Sequence, residues 1–209
     1  MPPVESHPEL IVLHHVKLKG FPSSASLVPG TGLPEPEVIS HLDGLKEQGL
    51  VMYREGRISG YTLTPAGREE HKSRLRGEAS DHREHLRGHY AEFLILNGEL
   101  LAVCTAWQVR DLSTNEMNDH LDSDYDDGVR ARLSGIHDGV APICGELAGR
   151  LRRYSTYHGR FEEALAKVHQ GLNEWFARPI IDSYHTVWME LHEDLLATLE
   201  IDRASEPSH

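Results

Sequence analysis

The sequence predicts a mainly α-helical protein with one small β-hairpin in its first third, and three observations predict it. Apolar residues recur at helical spacing over most of the 209 residues, as in Val38, Ile39, Leu42 and Leu45, or Tyr184, Trp188, Leu191, Leu195 and Leu199. A single pair of short runs, 50–53 and 59–63, reads as two strands, with the turn Arg54-Glu55-Gly56-Arg57 between them. Gly and Pro clusters separate the periodic segments.

Taken in order, His7-Pro8 leads into a short helix over 9–17 with an acidic first turn. Phe21-Pro22 breaks it, and Ser23 or Ser24 can cap a second helix through Leu27 and Val28. Residues 29–34, Pro-Gly-Thr-Gly-Leu-Pro, read as a turn. A third helix runs from about Glu35 to Gln48, and Gly49 stops it. After the hairpin, Thr64 and Pro65 supply an N-cap and a first helical residue. Residues 65–76 and 81–110 read as one long helix or two in series, and 111–122 as a polar loop. Residues 122–154 are helical with an expected weak point at Pro142. Residues 159–177 carry Leu165, Val168, Leu172 and Trp175 on one stripe, and 179–199 close the fold. The division expected is 1–78, a second all-α bundle over 79–203, and a disordered tail over 204–209.

Hydrophobic residues make up 39% and charged residues 26%, the balance of a soluble globular protein. No apolar run is long enough to suggest a membrane span, and the start lacks the pattern of a secretion signal. Cys104 and Cys144 lie in apolar-periodic segments, so free buried thiols and a cytoplasmic location are expected. The net charge of −12 is unevenly placed: residues 1–80 carry 9 Lys or Arg against 10 Asp or Glu, and residues 81–209 carry 12 against 23. An acidic second part does not bar a local surface from meeting phosphate, because screening limits its reach to about 8–10 Å, but it does predict weak non-specific DNA binding.

Helix, helix, turn, helix, hairpin and helix within 80 residues is a compact order that leaves the outer face of the third helix free to enter a major groove. Residues 26–51, ending Leu42-Asp43-Gly44-Leu45-Lys46-Glu47-Gln48-Gly49-Leu50-Val51, resemble the helix-turn-helix of winged-helix regulators of the MarR and PadR type. The return strand Tyr61-Thr62-Leu63-Thr64-Pro65-Ala66-Gly67-Arg68 resembles theirs too. The resemblance covers about a third of the chain and implies an N-terminal winged helix-turn-helix. It implies a DNA-binding transcriptional regulator, a homodimer reading a pseudo-palindromic operator on double-stranded DNA, modulated by a small-molecule effector in the helical domain. Carried over by position, Glu37, Ser40, His41 and Gly44 face the groove, with Arg54 and Arg57 in the wing and Lys17, Lys19 and Lys46 at phosphates. The chain departs from the pattern at Pro34-Glu35-Pro36-Glu37, where base-reading helices present cationic or amide side chains. A winged helix that binds protein instead of DNA is the alternative reading.

The second part offers weaker signals. Trp107, Tyr154, Trp175, Tyr184 and Trp188, with Arg153 near them, are candidates to line an effector pocket, against plain core packing. Histidine is abundant, 15 in all. His82, His85 and His89 share a helix face, and His185 and His192 lie two turns apart on the last helix, so a divalent metal such as zinc is one reading of these groups. A metal-dependent enzyme built on them is a third function class. No Gly-rich phosphate loop or nucleophile elbow is present, and an enzyme is not expected.

Overall fold

The computed structural model describes residues 3–206. The chain is mainly helical, with nine α-helices and two small antiparallel hairpins among the described residues. No helix among them is long and apolar enough to cross a membrane.

Helix α1 (Pro8–Lys19) starts where His7 accepts from the Glu9 amide and Pro8 opens the first turn. Helix α2 (Ser24–Thr31) is capped by Ser23 and runs past the turn expected at Pro29. The residue that stops it is Gly32, at φ 68°, and Gly30 is needed for another reason: a Cβ there would lie 2.4 Å from the His15 ring. Helix α3 (Glu35–Glu47) buries Val38, Leu42 and Leu45. Ile39, expected on that stripe, is 41% exposed, since it sits one residue, about 100°, off the buried line.

Strands β1 (Val51–Arg54) and β2 (Gly60–Leu63) pair from Val51 opposite Leu63 to Arg54 opposite Gly60. The hairpin is held against the helices by close backbone approach. The Tyr61 amide donates to the Pro22 carbonyl at 2.9 Å, and a Cβ on Gly60 would lie 2.2 Å from the Phe21 oxygen. Helix α4 (Pro65–Ala79) is capped by Thr64, whose hydroxyl also donates to the Gly49 carbonyl. Val12, Leu13, Val16, Leu27, Val38, Leu42, Leu45, Leu50, Val51 and Leu63 form one core.

A break after α4 separates it from α5 (Arg83–Gln108), so the two are in series. The expected loop at 111–122 contains a second hairpin, β3 (Val109–Asp111) with β4 (Glu116–Met117). Helix α6 (Ser123–Ala148) continues through Pro142, whose side chain is exposed. After a 3₁₀ turn at Arg152–Tyr154, α7 (Ser155–His169) ends before Gly171 at φ 83°. The stripe expected over 159–177 is therefore cut: Leu172 is exposed, and Trp175 is on the separate short helix α8 (Glu174–Ala177). Helix α9 (Tyr184–Leu199) is capped by Ser183 and packs on α4, α5, α7 and α8.

A second, larger core runs from Ala79 to Leu199, with Trp188 stacked on Phe93 and donating to the Asn97 side chain at 2.9 Å. Cys104 and Cys144 are free and buried in it. The chain's leading segment is tied to this second part, since Val4 exchanges backbone hydrogen bonds with Arg150 and Arg152. The disorder expected over 204–209 does not extend to its first residues. A 3₁₀ turn spans Arg203–Ser205, and Glu206 accepts from Tyr90 and pairs with His192. Residues 207–209 lie outside the described residues.

Candidate functional site

Helix α3 packs on β1 and has an exposed outer side, as does the β1–β2 hairpin. Glu37, Ser40, Lys46, Arg54 and Arg57 are exposed, and His41 and Gly44 are half-buried. Nothing stands within 4 Å of where a Gly44 Cβ would be. The surface is mixed in charge. Helix α3 exposes Glu35, Glu37, Asp43 and Glu47 against Lys46 alone, while the hairpin supplies Arg54 and Arg57 against Glu55. Glu35 accepts from the Ser24 hydroxyl at 2.8 Å, so one of the two leading glutamates is tied to the first residue of α2. Ile39, Met52, Tyr53 and Ile58 are exposed as well.

The two expected phosphate cations of α1 part company. Lys17 is exposed at the rim of a cavity of about 550 Å³ that Arg68 and Lys72 also line. Lys19 is withdrawn: its ammonium binds Glu190 and reaches Asp182 at 3.5 Å. Arg160 completes the group, bonding Asp182 at 2.8 Å and Glu190 at 2.7 Å. Lys19 is thus a bridge from α1 to α9 and not a free cation, because two carboxylates remote in sequence meet it.

Beside that bridge is a second buried polar group that sequence spacing did not reveal. Asp194 accepts from Arg153, from Tyr157 at 3.0 Å and from Thr198 at 3.1 Å, and it pairs with His14 Nε2 at 3.0 Å. Arg153 also binds Glu78 at 2.8 Å. His14 Nδ1 lies 2.8 Å from His71 Nε2, and the two rings stack. Burial raises the Asp194 carboxyl, but the Arg153 charge and the hydrogen bonds from Arg153 and His14 overcome it and hold it well below the usual range. Burial lowers His71 to about 2 and His15 to about 3. These residues come from α1, α4, the 3₁₀ turn, α7 and α9, so the group joins the first core to the second.

The aromatic candidates for an effector pocket separate. Trp107, Tyr154, Tyr184 and Trp188 are buried in the second core, Trp107 stacked on Phe176 at 4.3 Å. Arg153 is buried in the Asp194 group and lies over the Tyr154 ring. These five line neither of the two cavities at α1, and they are packed in the interior. Trp175 does line a cavity, a cleft of about 680 Å³ between α1–α2 and α8–α9, with Phe21, Pro29, Lys19, Asp182, His185 and Glu190.

The histidine candidates separate too. His85 and His89 meet, Nε2 to Nε2, at 3.2 Å, and Glu146 of α6 joins them. His85 is shifted down by partial burial and by Arg150 and His89. His82 is buried outside that trio, its Nε2 without a partner among the described residues. His185 is in the inter-helix cleft, and His192 pairs with Glu206, so these two form no common site. The carboxylate-rich run before α6 is knitted together in part: Asp126 is buried, with Asn118 donating to it at 2.8 Å and His120 beside it at 2.9 Å. Comparison with known proteins found no matching family model, curated protein or solved structure.

Proposed function

We propose that residues 1–78 are a winged helix-turn-helix that binds double-stranded DNA, and that the chain is a homodimeric transcriptional regulator. The observation that carries this reading is the arrangement of the first core. It buries only the Val38, Leu42 and Leu45 side of α3, leaving the opposite side, with Glu37 and Ser40, turned outward, and Arg54 and Arg57 of the hairpin are exposed as well. In this reading α3 enters the major groove and the hairpin arginines meet the backbone or the minor groove. The four carboxylates of α3 repel phosphate, so affinity rests on base contacts and on the hairpin, and non-specific binding is weak.

Two further observations support parts of the reading. Leu112, Met117 and Leu121 are strongly exposed around the second hairpin, an apolar end suited to self-association. The cleft between the two cores is of a size for a small effector, and α1 and α9 both contribute to it.

The second reading, a winged helix that docks a protein, is favoured by the exposed Ile39, Met52 and Tyr53 beside the acidic face of α3. The deciding experiment is binding to a fluorescent fragment of the gene's own upstream region, against unrelated DNA, at about 50 and about 200 mM salt. Preference for the upstream fragment that persists at the higher salt supports the regulator. Absence of binding at both salts, with and without a panel of small effectors, overturns it in favour of the protein partner.

A further inference from the structure

We infer that α5 and α6 together carry a site for a divalent metal of borderline character, of the zinc or cobalt type, on His85, His89 and Glu146. His85 and His89 are one turn apart on α5, and both are partly buried. Their Nε2 atoms are 3.2 Å apart, the rings edge to face. A Glu146 oxygen approaches His85 Nε2 at 3.7 Å, and the three donor atoms all lie within 4.8 Å of one another. Two ligands at the usual zinc distances in a tetrahedron are about 3.3 Å apart, so the imidazoles already stand at the separation a shared ion requires.

The surroundings fit the same reading. His89 places its other nitrogen, Nδ1, 2.9 Å from Glu92. A carboxylate there holds the proton on Nδ1 and leaves the Nε2 lone pair turned toward His85, the arrangement that orients metal-bound histidines. The three ligands come from two helices, so the ion would fix α5 against α6. One tetrahedral position is left for water or a small anion. Beside it is a cleft of about 360 Å³, lined by Ile95 and Leu96 of α5 and by Gly139, Pro142 and Ile143 of α6, with His89 and Glu146 at its edge. The set of two imidazoles and one carboxylate favours zinc or cobalt over calcium or magnesium, which take oxygen ligands.

The test uses the full chain, freed of any purification tag and of metal, titrated with cobalt(II) and then zinc(II). The expected result is one cobalt per chain, with visible absorption of tetrahedral character that zinc abolishes. His89→Ala and His85→Ala lose that absorption, and Glu92→Gln weakens binding by about tenfold or more. His185→Ala and His192→Ala bind as the unaltered chain does. Zinc raises the thermal midpoint of the unaltered chain and not of His89→Ala, whose far-ultraviolet dichroism shows whether it is folded. Failure of the unaltered chain to bind cobalt or zinc overturns the inference. So does binding that survives the double substitution His85→Ala with His89→Ala.

Discussion

His15 and His71 make the stability of this protein depend on pH well above the carboxylate range. Both are buried, and their folded values are depressed to about 3 and about 2 from an ordinary 6.5. The sign follows from which state binds more protons. Between 6.5 and about 3 the unfolded chain protonates both rings and the folded chain neither, so stability is complete above 6.5 and falls as the pH falls. Each histidine costs about 1.4 kcal/mol per pH unit, and the pair about 2.7 kcal/mol per unit. Down to the folded values the pair can remove about 11 kcal/mol in all, so a stability near 5 kcal/mol, the low end for a domain, would be exhausted within about two units below 6.5. Burial shifts His137 and His185 the same way, which steepens the slope. Asp194 does not act in this window: its folded value is depressed, so its contribution is kept above about 3.9 and lost only below. Urea melts followed by far-ultraviolet dichroism at about pH 7.5, 6.5, 5.5 and 4.5 measure the slope, which should correspond to uptake of about two protons or more on unfolding. His71→Gln should flatten it by about one proton. A stability that is level from pH 6.5 to 4.5, or a slope that His71→Gln leaves unchanged, would refute the assignment of these rings as buried and neutral.

Asp194→Ala leaves the buried Arg153 guanidinium without its principal partner, and urea melts near neutral pH should show a loss of about 3–5 kcal/mol. Gly67→Ala drives a Cβ to within 1.9 Å of the Leu50 carbonyl oxygen, so α4 and the hairpin must separate. A loss of about 1–3 kcal/mol is expected, read as a lower thermal midpoint, and no loss would mean that the contact is slack. Arg57→Ala is expected to leave stability unchanged while lowering operator affinity and reducing the salt slope of binding by about one, in a fluorescence titration across salt concentrations. An unchanged affinity would remove the hairpin from the proposed interface.

Local chemistry was legible in the sequence, and long-range chemistry was not. The Thr64 cap, the strand pair and the start of α3 after Pro34 depend on residues within a few positions of one another, and they stand where spacing and turn residues put them. Pro29-Gly30 misled because the pair has the composition of a turn, whereas Gly30 serves to admit the His15 ring. The His85–His89 pair follows from helical spacing, but the third member, Glu146, is on another helix, and His82 turns into the interior. Lys19 had the look of a surface cation at the end of a helix, and only the fold brings Glu190 to it. The Asp194 group was out of reach for the same reason: His14, His71, Glu78, Arg153 and Asp194 are scattered over most of the chain.

Helix α1 belongs to both halves of the molecule, and this gives the proposed regulator a physical route between effector and DNA. One side of α1 places Val12, Leu13 and Val16 in the core that also holds α3. His14 and Lys19 bind Asp194 and Glu190, which are one turn apart on α9. A buried His14–Asp194 contact and a part-buried Lys19–Glu190 ion pair therefore clamp α1 to α9. Such contacts tolerate little sliding, because a largely buried carboxylate moved off its partner is destabilised. The cleft lined by Asp182, His185 and Glu190 opens at the N-terminal end of α9, next to the Lys19 clamp. A ligand that competes for Glu190 or displaces α9 must either release Lys19 or carry α1 with it. Since α3 packs directly on α1, either outcome alters how the α3 surface is presented, and in a dimer it alters the separation of two such surfaces.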